Sequence, residues 1–311
     1  MKDCLLTPLI SLSKEKYPIE WSEEFLLGSL LDVEIGFGTG EFLIAEAINN
    51  PGRNYVGIEQ NWERIVKTLK VITRLHKEGK PLNNIRILRI DATVAFERLF
   101  AQKSINSIYC LYPCPWPKKG HIKNRLFSCS FLKLLNSRLK VGGDLRIVTD
   151  FYLYFEWVIE QSEDAGFSVL TNRVKPKYNT KFELKWCEGG QEEFFEIKMH
   201  KKSHVNVIER QGVELKTYKV KDFAYDNFSF ENKKGEISVI LKDKLFDKDN
   251  KRAMIYVIVS EQNLTQHLWV SIIKGKDFWY IARAEGQKFF ATPAISEAIK
   301  LIYEAAKLSS E

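Results

Sequence analysis

VEIGFGTGEF, Val33 to Phe42, sets Gly36, Gly38 and Gly40 directly after an apolar run, with Glu34 just ahead of them. Glycine lets a backbone turn sharply, and it lets a ligand approach where a Cβ would otherwise stand. One residue separates each glycine from the next, a tighter spacing than the GxGxxG dinucleotide fingerprint. Glu59 closes the second apolar run, roughly 20 residues further on, where an acid can accept hydrogen bonds from both hydroxyls of a ribose. Asp91 closes the third beside Ala92, where an adenine ring would lie. Taken singly, each reads as readily as turn punctuation or a helix cap. In order at successive strand ends they outline a nucleoside site, in the crevice where open α/β sheets bind ligands.

The fourth run, INSIYCL, leads into different chemistry. YPCPWPKK, Tyr112 to Lys119, places Trp116 between two prolines, with Lys118, Lys119, His121, Lys123 and Arg125 following. Each proline fixes its own φ and restricts the residue before it, so CPWP forms a stiff, non-helical loop. Aromatic surface beside clustered cations suits stacking on a base and neutralising phosphate. A buried Trp116 with a solvated lysine face is the other reading of the same residues.

The elements that must hold these groups alternate. LDVEIGF, NYVGIEQ, IRILRI, INSIYCL and DLRIVTD are short and rich in β-branched residues, as strands buried on both faces are. Amphipathic stretches at Gly40 to Asn49, Trp62 to Glu78, Ala92 to Gln102 and about Asn124 to Leu139 separate them, and FYLYFEWVIEQ follows Asp150. This pattern predicts an α/β fold with a doubly wound, mostly parallel sheet. After Lys198 to His204, EISVILKD, RAMIYVIVSE, HLWVSIIKG and DFWYIARAE read as strands, and Pro293 to Leu308 as a helix. A smaller β-rich domain ending in a helix is therefore expected at 210–311, behind a main domain at 25–209 and an N-terminal segment at 1–24. Trp269 and Trp279 sit in strand patterns and are expected in its core.

Composition narrows the class. At 311 residues, with 45% hydrophobic and 28% charged, the chain has the balance of a globular protein rather than of disorder or fibre. No apolar run approaches the roughly 18 residues that span a bilayer, and Met1 to Trp21 lacks the apolar stretch of a signal peptide. A soluble, cytoplasmic protein with no membrane partner is expected. The net charge of +7 is too modest to argue for nucleic acid by itself. Cys4, Cys110, Cys114, Cys129 and Cys187 show no CxxC spacing and are expected as free thiols. His76, His121, His200, His204 and His267 form no evident ligand set with the acids, and no metal is expected.

YPCPWPKKGHIKNR resembles the FPDPWxKxRHxKRR stretch of bacterial tRNA (guanine-N7)-methyltransferases. VEIGFGTGEF, GIE at Gly57 to Glu59, DA at Asp91 and Ala92, TD at Thr149 and Asp150, and TKFE at Thr180 to Glu183 follow the same family in order. The similarity covers roughly Leu31 to Met199. It implies a class I methyltransferase fold over 25–209, S-adenosyl-L-methionine as methyl donor, and tRNA as partner, methylated at N7 of a variable-loop guanine. By that resemblance Glu34, Glu59, Asp91, Ala92 and Cys114 contact the donor, and Gly36, Gly38 and Gly40 shape its loop. Lys118, Asp150, Thr180, Lys181, Phe182 and Glu183 then contact the tRNA substrate, with Lys119, His121, Lys123 and Arg125 along its phosphates. Cys114 stands where the family has the Asp most often assigned as catalytic, which makes Cys114 and Asp150 the catalytic candidates. Cys114 also motivates the alternative of a donor-binding RNA-binding protein with little transfer. GHIKNR, less basic than the family's RHxKRR, points to phosphate contacts elsewhere. The resemblance leaves self-association and the task of the C-terminal domain open.

Overall fold

In the computed structural model, which describes residues 4–12, 17–25, 28–210, 212–287 and 289–310, the chain divides into two compact units. The first comprises Met1–Ile10 and Pro18–Arg210, and the second Ser11–Tyr17 and Gln211–Glu311. The stretch 1–24 thus does not stand apart as a segment of its own. Ile10, Ile19 and Trp21 are buried, and the Ile10 amide donates to the Ile87 carbonyl.

The first unit runs α1 (Trp21–Glu24), β1 (Leu30–Ile35), α2 (Glu41–Asn49), β2 (Arg53–Ile58), α3 (Trp62–Lys77), β3 (Ile85–Leu88), α4 (Ala92–Arg98), β4 (Ile105–Leu111), α5 (Cys129–Arg138), β5 (Leu139–Thr149), α6 (Tyr152–Gln161), β6 (Phe167–Val174), α7 (Lys181–Glu188) and β7 (Phe194–Lys201). Its seven strands lie in the order β3-β2-β1-β4-β5-β7-β6. All neighbours are parallel except β7, which runs antiparallel to both β5 and β6. This is the doubly wound, mostly parallel sheet that the alternation predicts. β1 and β2 are buried almost throughout because helices cover both faces. Along α3, Ile65, Leu69 and Ile72 recur at helical spacing and pack with Leu43 and Ile85 into one core cluster.

Several bounds differ from expectation for identifiable reasons. α4 ends at Arg98, short of Gln102, because the Leu99 carbonyl accepts from the Ile19 amide and Phe100 turns to stack on Trp21, 5.1 Å away. α5 begins only at Cys129, where the Ser128 hydroxyl caps the Phe131 amide; a 3-10 turn, Lys119–Asn124, precedes it. β5 starts five residues before DLRIVTD, and a register shift against β4 absorbs the extra length.

The second unit contains β8 (Tyr218–Val220), β9 (Ile237–Asp247), β10 (Arg252–Glu261), β11 (Leu264–Lys274), β12 (Trp279–Arg283) and α8 (Pro293–Leu308). Its antiparallel sheet has the order β8-β12-β11-β10-β9. Ile295, Ile299 and Ile302 of α8 join Val257, Leu268, Val270 and Ile281 in its core. Thr292 caps α8, with a proline at its first turn where no amide partner is needed. Trp279 belongs to this core, whereas Trp269 stays half-buried beside Tyr256. Among the described residues no helix is long and apolar enough to cross a membrane.

Candidate active site

The carboxyl ends of β1 to β3 carry the groups expected to meet the donor. Gly36, Gly38 and Gly40 have φ of 69°, 59° and 84°, the left-handed region that residues with a Cβ avoid. At Gly36 and Gly38 nothing lies within 4 Å of where a Cβ would stand, so the turn leaves open space. Glu59 ties this turn to the start of α3: the Gly38 amide donates to its Oε2 (3.2 Å) and the Asn61 amide to its Oε1 (2.9 Å), with Arg64 3.4 Å away. Gly57 is a residue whose need the sequence reading missed. A Cβ there would come within 2.6 Å of Leu43 and of Phe37, the residue inside the glycine turn.

Glu34 is the unusual member. It is 4% exposed, and its Oε2 is buried with no hydrogen-bond partner. Burial pushes its carboxyl well above the ordinary range, and the nearby Glu41 and Glu46 push the same way. Asp91 is the N-cap of α4, accepting from the Thr93 (2.8 Å) and Val94 (3.3 Å) amides, and it also accepts from the Gln60 amide group at 2.8 Å. Ala92 is buried behind it. Open glycine turn, unpartnered carboxyl oxygen and strand-end acids fit a bound nucleoside with a polar tail.

The ends of β4 and β5 carry the residues expected on the acceptor side. Tyr112 leaves β4 at φ 56° and Trp116 sits at φ 45°. Trp116 precedes Pro117, so an extended residue is expected there; the loop instead kinks, and Trp116 packs edge-on to His121 at 5.7 Å. Such backbone is strained unless its surroundings enforce it. Arg125 is the enforcing group. Only 8% exposed, it donates from Nε to the Pro115 carbonyl (3.0 Å) and lays its guanidinium over Tyr154 and Trp157 at 5.5 and 5.2 Å. The expectation that Arg125 meets phosphate is therefore corrected: its charge is used beneath the loop. Lys118, Lys119, His121 and Lys123 remain exposed on and beside the 3-10 turn, and Cys114 is an exposed free thiol.

Asp150 is half-buried, and burial raises its carboxyl above the ordinary range. It caps no helix; Phe151 occupies that position without a side-chain bond. Thr180 caps α7 through the Glu183 amide (3.2 Å), and Lys181 and Phe182 face solvent, with the Arg64 guanidinium 5.9 Å from the Phe182 ring. Glu183 corrects a second expectation. It is 1% exposed and accepts from the Tyr112 hydroxyl (2.8 Å) and from the amides of Lys177 (3.0 Å), Tyr178 (2.8 Å) and Asn179. It is not presented to a substrate; it clamps the acceptor loop to the turn before α7. Burial foremost, together with Glu183 itself, holds the Tyr112 hydroxyl protonated as a donor.

Glu196 on β7 was also missed. It accepts from the Tyr178 hydroxyl (2.8 Å) and Lys177 Nζ (3.0 Å). Burial acts to raise its carboxyl, but those bonds outweigh it and hold the group below its ordinary value. Among the described residues no group of three or more His, Cys, Asp or Glu side chains could hold a metal.

A family model described as "Putative methyltransferase" matches residues 29–196. The tRNA (guanine-N(7)-)-methyltransferase of Chlorobium phaeobacteroides is 41% identical over 175 residues, covering 56% of this chain and 83% of its own. The proteins of the same name from Thermotoga maritima and Aquifex aeolicus are 28% and 30% identical, covering 93% and 88% of this chain and 93% and 92% of theirs. Among solved structures, the 16S rRNA (adenine(1408)-N(1))-methyltransferase from Catenulisporales acidiphilia aligns with a TM-score of 0.46 at 17% identity, over 63% of this chain and all of that one.

Proposed function

The chain belongs to the family of tRNA (guanine-N7)-methyltransferases, and we propose that it transfers the methyl group of S-adenosyl-L-methionine to N7 of a guanine in tRNA. The observation that carries this reading at the site is the convergence of two unlike surfaces at neighbouring strand ends. An open glycine turn with buried acids ends β1 and β2, and a kinked aromatic loop with exposed lysines ends β4.

When bound, S-adenosyl-L-methionine supplies an electrophilic methyl group on a sulfonium. Glu59 holds the ribose hydroxyls, Asp91 and Ala92 border the adenine, and Glu34 faces the charged tail from beneath the glycine turn. Guanine N7 is an unprotonated lone pair, so the protein's task is alignment rather than proton removal. Asp150 accepts hydrogen bonds from the guanine N1 and N2 donors and offsets the positive charge that grows on the ring. Lys118 with Lys181 and Phe182 borders the tRNA, buried Thr180 capping the helix that presents the latter two, while Lys119, His121 and Lys123 neutralise phosphate. Glu183 and Arg125 act beneath these contacts by fixing their geometry. Cys114, exposed at the kink, borders the transferred methyl without supplying a carboxylate.

The test is transfer itself. Unmodified tRNA incubated with labelled donor and wild type, Cys114→Asp or Cys114→Ala should in each case acquire N7-methylguanine at one position. Label on Cys114→Asp alone, with wild type still binding tRNA, would instead identify this chain as a donor-binding RNA-binding protein.

A further inference from the structure

Beside Asp150, three aromatic rings gather outside the core. Tyr152 opens α6 and is 48% exposed. Its ring centroid lies 6.0 Å from that of Phe155 one turn on, and 5.3 Å from that of Phe195 on β7; Phe155 and Phe195 are 5.2 Å apart. From β6 the guanidinium of Arg173 stands 5.7 Å over Phe195, itself exposed and only loosely paired with Glu193 at 3.8 Å. Interior rings need no such position. These three are half-buried or exposed beside the strand end that carries Asp150, and contiguous apolar surface of this kind can mark a contact.

The chemistry of the patch selects its occupant. Mutually packed rings are already fixed in place, so a planar group can pack on the exposed half of Tyr152 with little further ordering. The neighbouring Arg173 and the exposed Lys175 supply cations for the phosphate that such a group carries in RNA. Unpaired bases are the parts of RNA that aromatic side chains grip. The patch is also continuous in sequence with Asp150, so a polynucleotide seated at the acceptor site meets it directly. We propose that Tyr152, Phe155 and Phe195, flanked by Arg173, form a stacking platform for an unpaired tRNA base near the methylated guanine. This rests on reading Asp150 as the acceptor side.

Full-length wild type, Tyr152→Ala, Tyr152→Phe and Arg173→Ala are to be compared for affinity to unmodified tRNA across a salt series, with donor affinity as the check on folding. A lost stacking contact should raise the tRNA Kd about tenfold for Tyr152→Ala without changing the salt slope, and Tyr152→Phe should restore it. Arg173→Ala should instead lower that slope by about 1. Unchanged tRNA affinity in Tyr152→Ala overturns the platform while leaving the methyltransferase reading intact. Wild type that binds no tRNA at all sinks that reading and the platform with it. Unchanged tRNA affinity accompanied by loss of a dimer on sedimentation overturns the proposal in favour of a second copy as occupant.

Discussion

On the proposed donor side the candidate groups are backbone turns and carboxyl groups standing at strand ends, whereas on the proposed acceptor side two charged residues expected to meet RNA, Arg125 and Glu183, are spent inside the protein. The glycine turn keeps its shape through positive φ at three positions and through one acid, Glu59, that bonds its amide. The acceptor loop has no such glycines. It holds φ 56° at Tyr112 and φ 45° at Trp116 while Glu183 accepts from the Tyr112 hydroxyl and Arg125 donates to the Pro115 carbonyl between them. A site can thus be shaped locally by residues that permit a conformation, or remotely by residues that compel one. The second kind should be more fragile.

That contrast can be broken by experiment. Glu183→Ala should do the most damage, because it strands a hydroxyl and backbone amides that now share one carboxylate. At roughly 1–3 kcal/mol for each unsatisfied buried group, a loss of at least about 3 kcal/mol in denaturant unfolding is expected. Transfer should fall more than about 100-fold while donor affinity, measured calorimetrically where the variant is folded, stays within about twofold. Equal losses in both would show that the two sides are one unit.

Glu59→Ala should give the mirror result. Removing charge-assisted bonds to the ribose raises the donor Kd about tenfold or more and leaves tRNA affinity alone.

Glu34→Gln sharpens the donor half through pH. Burial keeps the Glu34 carboxyl protonated to a higher pH in the folded chain than in the unfolded one, where it titrates near about 4.3. Between those values the unfolded state has lost a proton that the folded state keeps, so the folded chain loses stability as pH rises through the window. The wild-type melting temperature should fall by about 3 °C per pH unit there, relative to Glu34→Gln, and the two should converge below about pH 4. Parallel curves would remove the unusual carboxyl from the account. The smallest change is expected for exposed Lys118→Ala: a two- to threefold rise in tRNA Kd, by rough estimate, with the salt slope lowered by about 1.

What the sequence discloses follows the same division. Donor residues are legible because strands buried on both faces read as apolar runs, and their last residues fall where a ligand must lie. RAMIYVIVSE and Pro293 to Leu308 match β10 and α8 residue for residue, since alternation and a capped amphipathic period are local signals. Arg125 and Glu183 look like surface groups in the sequence because burial of a charge is not local information. Arg125 meets its carbonyl partner 10 residues away, and Glu183 meets Tyr112 across 71. β6, FSVLTNRV, is not legible in the sequence because an edge strand exposed on both sides loses the apolar run that marks its neighbours.

The place of β7 in the sheet bears on when the enzyme becomes competent during synthesis. β7 lies between β5 and β6, yet it leaves the ribosome after β6. Until Phe194 to Lys201 has emerged, β6 has no neighbouring strand to join, and Lys177 and Tyr178 in the β6–α7 connection lack Glu196, their partner on β7. Glycine turn, Glu59 and Asp91 are all translated within the first third of the chain. A nascent chain can therefore assemble the donor crevice well before it can close the acceptor loop, and tRNA in the translating ribosome's surroundings meets no finished site until the catalytic unit is nearly complete.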